Sequence, residues 1–319
     1  MSFSGEVKEE LSRCLPKARH CQIAEIAAIL GMCGQIQRTG AFAAVRIHTE
    51  NIAVARKYAR LLEAAFQIRT DTCVKRNAYL KKSRTYSIIV SGQKEVTRLL
   101  EAVKIEDEMG NLSEKEGLVD QRIVQSTCCR RAFIRGAFLA AGSISDPEKF
   151  YHLEIVCASA PKAEQMKEII NSFPVEAKIV RRKKYHVVYI KEGEQIGEML
   201  RIMEASLAVM NLENIRIVKE MRNSINRQVN CETANIHKTV SAAVEQINDI
   251  NYIREHLGLD SLPDGLKEIA LMRLEKPDAT MKELGDSLNP PVGKSGVNHR
   301  LRKLKMIADK SRGKKEEDL

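Results

Sequence analysis

Ile134-Arg135-Gly136-Ala137-Phe138-Leu139-Ala140-Ala141-Gly142 is the stretch that decides how this chain folds. Ile26-Ala27-Ala28-Ile29-Leu30-Gly31-Met32-Cys33-Gly34 stands 108 residues before it with the same small-residue character. Glycine inside a helix costs about 1 kcal/mol against alanine, so its return in both runs needs a reason. Close approach of two backbones supplies one, and the pair predicts two helices packed on each other. The bland alternative is an alanine-rich core helix with incidental glycine; the repeated position disfavours it.

Working outward, residues 23–66 and 131–174 align without a gap: Ile26 falls on Ile134, Ala28 on Gly136, Gly34 on Gly142, Ile47 on Ile155, Leu61 on Ile169. After a shorter loop the match resumes, with Tyr86 on His186, Ile88 on Val188 and Leu100 on Leu200. Each copy reads as a helix (23–34, 131–142), a short extended piece, a strand with apolar alternation (42–50, 151–158), and a second helix opened by Asn51 or by Ser159 with Pro161. A hairpin (72–77 with 85–91; 176–182 with 185–191) and a closing helix (93–103, 194–204) complete the order αββαββα, twice. The hairpins are basic: Lys75, Arg76, Lys81, Lys82 and Arg84 in the first copy, Lys178, Arg181, Arg182, Lys183 and Lys184 in the second, with Tyr79, Tyr86, Tyr185 and Tyr189 among them. Such hairpins either contact phosphates or form solvated tips, and both readings stand.

The two small-residue runs resemble degenerate copies of the helix motif of LAGLIDADG homing endonucleases. That resemblance implies two αββαββα halves packed through these helices, with curved sheets facing DNA. It also implies an acid at the penultimate motif position, holding a divalent cation. Here those positions are Cys33 and Ala141, and the preceding ones are Met32 and Ala140. Cleavage of a phosphodiester with Mg²⁺ needs hard oxygen ligands; alanine has none and a thiol is soft. Asp146 lies four residues past Gly142, and the matching position in the first copy is Arg38. The expectation is therefore no nuclease activity, no catalytic residue, no metal and no cofactor.

Residues 205–257 show helical spacing without strand signals: Leu212, Ile215, Val218, Met221 and Ile225, a break expected at 226–230, then Ile236, Val240, Val244, Ile247, Ile250 and Ile253 up to Gly258. This is either a tether or core for a neighbour. Beyond it, three short helices are expected within 262–308: one over about 264–274, one opened by the capping-box sequence Thr280-Met281-Lys282-Glu283, and one from Lys294 or Ser295 to about Ala308, after the breaker Asn289-Pro290-Pro291. In the last helix Val297, Leu301, Leu304 and Ala308 form a narrow apolar stripe. Ser295, His299, Arg302, Lys303, Met306 and Lys310 lie opposite, flanked by Asn298 and Lys305 on one side and Arg300 on the other. This is the layout of a recognition helix in a helix-turn-helix. The DNA-contact set read from it is Thr280, Lys282, Lys294, Ser295, Asn298, His299, Arg300, Arg302, Lys303, Lys305, Lys310 and Arg312. Arg302 and Asn298 suit base edges, and Lys303, Lys305 and the tail residues Lys310, Arg312, Lys314 and Lys315 suit phosphates. Residues 290–315 hold nine Lys or Arg against Asp309 alone, most of the +10 carried by the whole chain. Gly293-Lys294-Ser295 mimics the end of a P-loop, but Leu288 stands where its first glycine would be.

The remaining composition excludes more than it assigns. No Trp and 4% aromatics leave the core to Leu, Ile, Val, Ala and Met. No signal peptide or membrane-spanning run is read. The eight cysteines lack any C-x-x-C, the seven histidines are scattered with none read at ligand spacing to a cysteine, and the adjacent Cys128–Cys129 is poor geometry for zinc, so reduced thiols of a cytosolic protein are expected.

Three segments, Ser2-Phe3-Ser4 with Val7–Leu11, Arg227–Asn235 and Lys294–Leu304, together with the whole arrangement, resemble the WhiA family across essentially the full chain. The fold expected is α+β: two αββαββα LAGLIDADG-like repeats (1–108 and 109–208), a helical linker (209–260), an all-α helix-turn-helix domain (261–312) and a charged tail (313–319). The resemblance implies a cytoplasmic, nucleoid-associated protein of bacterial cell division and chromosome segregation. In sporulating filamentous relatives it implies a transcription regulator. The expected partner is double-stranded DNA, with a second regulatory protein left open and neither a membrane nor a small-molecule substrate. The alternatives are an interaction scaffold at nucleoid or division sites and a residual homing-type endonuclease.

Overall fold

The computed structural model describes residues 2–39, 42–76, 84–106 and 117–317, the side chains of 314–317 excepted. The chain divides into two compact units, Met1–Lys219 and Glu220–Leu319.

The first unit opens with a helix for which the sequence reading assigned no element, α1 (Phe3–Arg13), capped by the Ser2 hydroxyl, which accepts from the Gly5 N–H at 3.2 Å. Two copies of one pattern follow. The first is α2 (Arg19–Cys33), β1 (Gly34–Thr39), β2 (Phe42–Thr49), α3 (Ile52–Phe66), β3 (Asp71–Arg76), β4 (Arg84–Ser91) and α4 (Gln93–Ala102). The second is α5 (Thr127–Ala141), β5 (Gly142–Ile144), β6 (Leu153–Cys157), α6 (Ala160–Asn171), β7 (Lys178–Arg182), β8 (Tyr185–Ile190) and α7 (Gly193–Ile202). Local chemistry sets the boundaries: Asn51 Oδ1 accepts from the N–H groups of Ala53 and Val54 to start α3, and Pro161 sits in the first turn of α6.

Each copy builds a four-stranded antiparallel sheet, in the orders β1-β2-β4-β3 and β5-β6-β8-β7. The registers correspond: Ile47 pairs with Ile88 in one sheet and Ile155 with Val188 in the other, all four buried. These are the positions the internal repeat superposes.

Helices α2 and α5 pack on each other, as the glycines require. A Cβ at Gly136 would lie 2.5 Å from the Glu25 carbonyl oxygen and 3.0 Å from Ala28 Cβ. Inside this small-residue seam sits a charged group that hydrophobic patterning does not announce. Glu25 (α2), Lys57 (α3) and Arg135 (α5) are 0%, 1% and 2% exposed. Glu25 pairs with Lys57 and, at 3.2 Å, with Arg135, which also reaches Glu204 at 2.7 Å. Lys57 donates to the Leu11 carbonyl at 2.9 Å. Burial pulls the Lys57 ammonium below its ordinary pKa, against the attraction of Glu25.

The helix α8 (Ser206–His256) begins in the first unit and continues into the second. It corrects the expected break at 226–230. That segment carries asparagines and glutamine but neither Gly nor Pro, and residues of modest propensity cost only tenths of a kcal/mol each. The helix ends where expected, at Gly258 (φ 74°), whose N–H reaches back to the Ile253 carbonyl at 3.0 Å.

In the second unit, α9 (Asp264–Glu275), α10 (Met281–Asp286) and α11 (Lys294–Glu317) enclose a separate core with the end of α8: Ile253, Leu266, Ile269, Leu284, Leu288, Val297, Leu301 and Leu304. The fold class is α+β, two LAGLIDADG-like repeats followed by an all-α helix-turn-helix.

Candidate nucleic-acid interface

The helix-turn-helix is fixed from α10 inward. Thr280 accepts from the Glu283 N–H at 3.3 Å while Glu283 accepts from the Thr280 N–H at 2.7 Å, a complete capping box. Those bonds hold the Glu283 carboxyl below the ordinary carboxylate range. Gly285 lets the turn fold back: its carbonyl accepts from the Val292 N–H at 3.0 Å, and a Cβ there would collide with the Val292 carbonyl. Arg273, buried, donates to the Ala279 carbonyl at 2.7 Å and ties α9 to the start of α10.

Helix α11 divides as its sequence predicts. Val297, Leu301, Leu304 and Ala308 are buried, while Ser295, His299, Arg302, Lys303, Met306 and Lys310 are exposed. Lys294 is exposed at its first turn, Lys282 is exposed on α10, and Asn298 is half-buried beside the open face. The helix runs nine residues past Ala308, beyond the end of its apolar stripe.

Three cations of the expected DNA-contact set have partners within the unit. Arg300 donates to the Gly265 carbonyl at 3.2 Å and faces Glu268 at 3.7 Å. Lys305 pairs with Glu245 at 2.6 Å, which raises its pKa. Arg312 pairs with Asp249 at 2.8 Å and stacks over the Tyr252 ring at 4.6 Å. Thr280 is occupied as a cap through its oxygen, keeping only its O–H to offer. The unpaired exposed set on α11 narrows to Ser295, His299, Arg302, Lys303 and Lys310, with Lys294 at its start.

On the second hairpin Arg181, Arg182, Lys183 and Lys184 are all exposed around a two-residue turn, with Lys183 at φ 56°. Arg182 is engaged by Glu154 at 3.1 Å, and Lys184 lies over the Tyr185 ring. Arg84 is exposed at the start of β4. Lys81, Lys82 and Tyr79 lie outside the described residues, as do the side chains of Lys314 and Lys315.

At Cys33 and Ala141, which match the metal-binding position of the endonuclease motif, the donor set does not fit a hard divalent cation. Cys33 donates to the Ile29 carbonyl at 3.2 Å, and burial pushes its thiol up to about 11, against the influence of Lys8. Lys162 donates to the Gly31 carbonyl at 3.1 Å, and Ala141 offers no side-chain donor. Two lysines thus serve this end of α2. Asp146 is exposed and accepts from the Glu148 N–H in its own loop.

The cysteines are free, and four potential ligands are grouped together. His20 and Cys21 lie in the first turn of α2, and Cys128 and Cys129 in the first turn of α5. The His20 nitrogen and the three sulfurs all lie within 4.8 Å of one another. Cys128–Cys129, unpromising by itself, thus meets a second dipeptide from the partner helix. Burial pushes the Cys21 thiol up to about 12 and raises that of Cys129.

The similarities to known proteins cover every part described above. Residues 19–106 match the WhiA N-terminal LAGLIDADG-like domain, 130–222 the WhiA LAGLIDADG-like domain, and 225–308 the WhiA C-terminal HTH domain. A protein of Lachnoclostridium phytofermentans named "Probable cell division protein WhiA" is 55% identical over 97% of this chain and 99% of its own. A relative of the same name from Alkaliphilus oremlandii is 49% identical over 97% and 98%. The crystal structure of full-length DUF199/WhiA from Thermatoga maritima superposes with a TM-score of 0.60 at 23% identity, over 97% of this chain and 99% of that one, and shares the fold. With three domains matched in order and full-length relatives near half identity, the chain belongs to the WhiA family.

Proposed function

We propose that this chain is a sequence-specific double-stranded DNA-binding protein that reads the duplex through α11, acts in bacterial cell division and chromosome segregation as a transcriptional regulator at the nucleoid, and does not cut DNA. One observation carries the reading: an apolar seam of Val297, Leu301 and Leu304 clamps α11 while Ser295, His299, Arg302 and Lys303 stand exposed on its first three turns. A helix so held presents its N-terminal half to a major groove. Arg302 has the bidentate geometry for guanine, and Lys294, Lys303 and Lys310 suit phosphates. The family's named role in cell division supports the cellular assignment. No described helix is long and apolar enough to cross a membrane. Cys33 and Ala141 at the motif positions, with no carboxylate beside them, support the absence of cleavage, and neither a cofactor nor a small-molecule substrate enters the proposal.

Gel mobility shifts with specific and competitor duplexes under rising salt test this. A regulator keeps its preference for one sequence as salt weakens all binding. Truncation after Pro263 abolishes duplex binding; intact affinity in the truncated chain refutes the assignment to α11. Plasmid nicking in Mg²⁺ or Mn²⁺ that Asp146→Ala abolishes refutes the claim of no cleavage.

A second reading has its own observation. Met221, Ile225, Val229, Ile236, Val240 and Val244 are exposed along α8. A row of this kind favours a protein partner, as a scaffold or second regulator requires. On that reading DNA binding is uniform across sequences.

A further inference from the structure

We propose that His20, Cys21, Cys128 and Cys129 form a structural zinc site that ties the first turns of α2 and α5 together.

The ligand set comes first. Three thiols and one imidazole are the Cys₃His complement of closed, four-coordinate zinc, and soft sulfur ligands select Zn²⁺ over Mg²⁺ or Ca²⁺. With Zn–S near 2.3 Å, a tetrahedron has edges of about 3.6–3.8 Å. The four ligand atoms already lie within 4.8 Å of one another, with His20 Nδ1 3.1 Å from Cys129 Sγ and 3.4 Å from Cys21 Sγ. The widest of these separations exceeds a tetrahedral edge by at most about 1 Å.

The placement is independent of the chemistry. His20 and Cys128 occupy equivalent positions of the internal repeat, as do Cys21 and Cys129, at the same 108-residue offset that superposes the two small-residue helices. A chance grouping of thiols has no reason to respect that offset. The site therefore straddles the seam between the two copies. Both helices also begin without a side-chain cap: Ala18 and Ser126 make no capping hydrogen bond. The positive ends of both helices therefore lie in the turns that carry all four ligands. Cys21 and Cys129 are buried, whereas His20 and Cys128 are exposed and give an ion a way in. Binding replaces the thiol protons with the metal, so occupancy falls in acid.

All four ligands are protein groups, which leaves no open position for substrate and makes the ion structural. Its role is to fasten the repeat copies where their helices begin.

The full-length chain, expressed with zinc and purified without chelator or polyhistidine tag, should carry one zinc per chain by elemental mass spectrometry. Exchange for Co²⁺ should give the absorption of a tetrahedral thiolate site. Cys21→Ser and Cys129→Ser should lose the metal, Cys73→Ser and Cys231→Ser should keep it, and His20→Cys should keep it with a stronger sulfur-to-cobalt band. Should the serine variants fail to fold, alkylation of the native chain still decides: zinc should protect Cys128 while Cys73 and Cys231 react, and chelation should expose it. Zinc far below one per chain, metal content equal in the chain and its Cys129→Ser variant, an octahedral Co²⁺ spectrum, a Cys21–Cys129 disulfide, or Cys128 alkylation indifferent to zinc would each overturn the proposal.

Discussion

Replacing Gly136 by alanine puts a methyl group 2.5 Å from the Glu25 carbonyl oxygen, 3.0 Å from Ala28 Cβ and 3.1 Å from Glu25 Cγ. Ordinary contact begins near 3.4 Å, so α2 and α5 must part by about 0.9 Å at this point. None of the three atoms is the free end of a flexible side chain, and the strain spreads along the seam. The 3.2 Å bond between Arg135 and Glu25 crosses the same seam and stretches with it. Overpacking costs about 1–3 kcal/mol, and the better helix propensity of alanine returns about 1 kcal/mol. With the strained ion pair added, a net loss of about 1–2 kcal/mol follows. For a unit of this size that lowers the midpoint by roughly 2–8 °C. Differential scanning calorimetry of the whole chain reads it, with the transition of the helix-turn-helix unit as internal reference. Gly313→Ala, in open space on α11, should not destabilise. An unmoved or raised midpoint for the first unit in Gly136→Ala would refute close backbone approach as the reason for glycine there.

Glu25→Gln leaves Lys57 and Arg135 buried without their shared carboxylate, and losing one partner of such a group costs about 3–5 kcal/mol; a loss below about 1 kcal/mol in urea unfolding would show the ion group to be incidental. Arg302→Ala should weaken duplex binding by about 1–3 kcal/mol and relax preference at one base position; an unchanged footprint removes Arg302 from the reading set. Arg300→Ala should instead act mainly on the stability of the second unit, since its contacts are the Gly265 carbonyl and Glu268, and footprinting should show an unaltered base preference. Thr280→Ala removes the cap of α10 and should cost about 1 kcal/mol by thermal unfolding.

Much of this fold is legible in the sequence because two periodicities coincide. The small-residue runs fix one helix pair, and the alternation around Ile47 and Ile155 fixes the strand that each sheet places against Ile88 or Val188. The capping box at Thr280 and the stripe of Val297, Leu301 and Leu304 are likewise local signals with local causes. What escapes is non-local. Whether Arg300 faces solvent or a neighbour depends on Glu268 of another helix, and no pattern within α11 reveals it. Glu25 and Arg135 show only as charges in or beside apolar motifs, a sign of burial that periodicity alone overlooks. Cys128–Cys129 looks unpromising because its match, His20–Cys21, is distant in the chain; applying the repeat offset to it would have found the pair. The expected break in α8 rested on polar residues, which weaken a helix without ending it.

The carboxylates of Glu268, Glu245 and Asp249 change what the basic stretch can mean for ionic strength. A phosphate approaching Arg300, Lys305 or Arg312 has to displace an anion the chain already supplies. Docking along this helix then liberates fewer condensed ions from the duplex than nine cations imply, and each one missing removes about 0.9 from the logarithmic salt slope. On the proposed reading, recognition so built leans less on bulk charge and more on the fit of a few side chains to the edges of the bases.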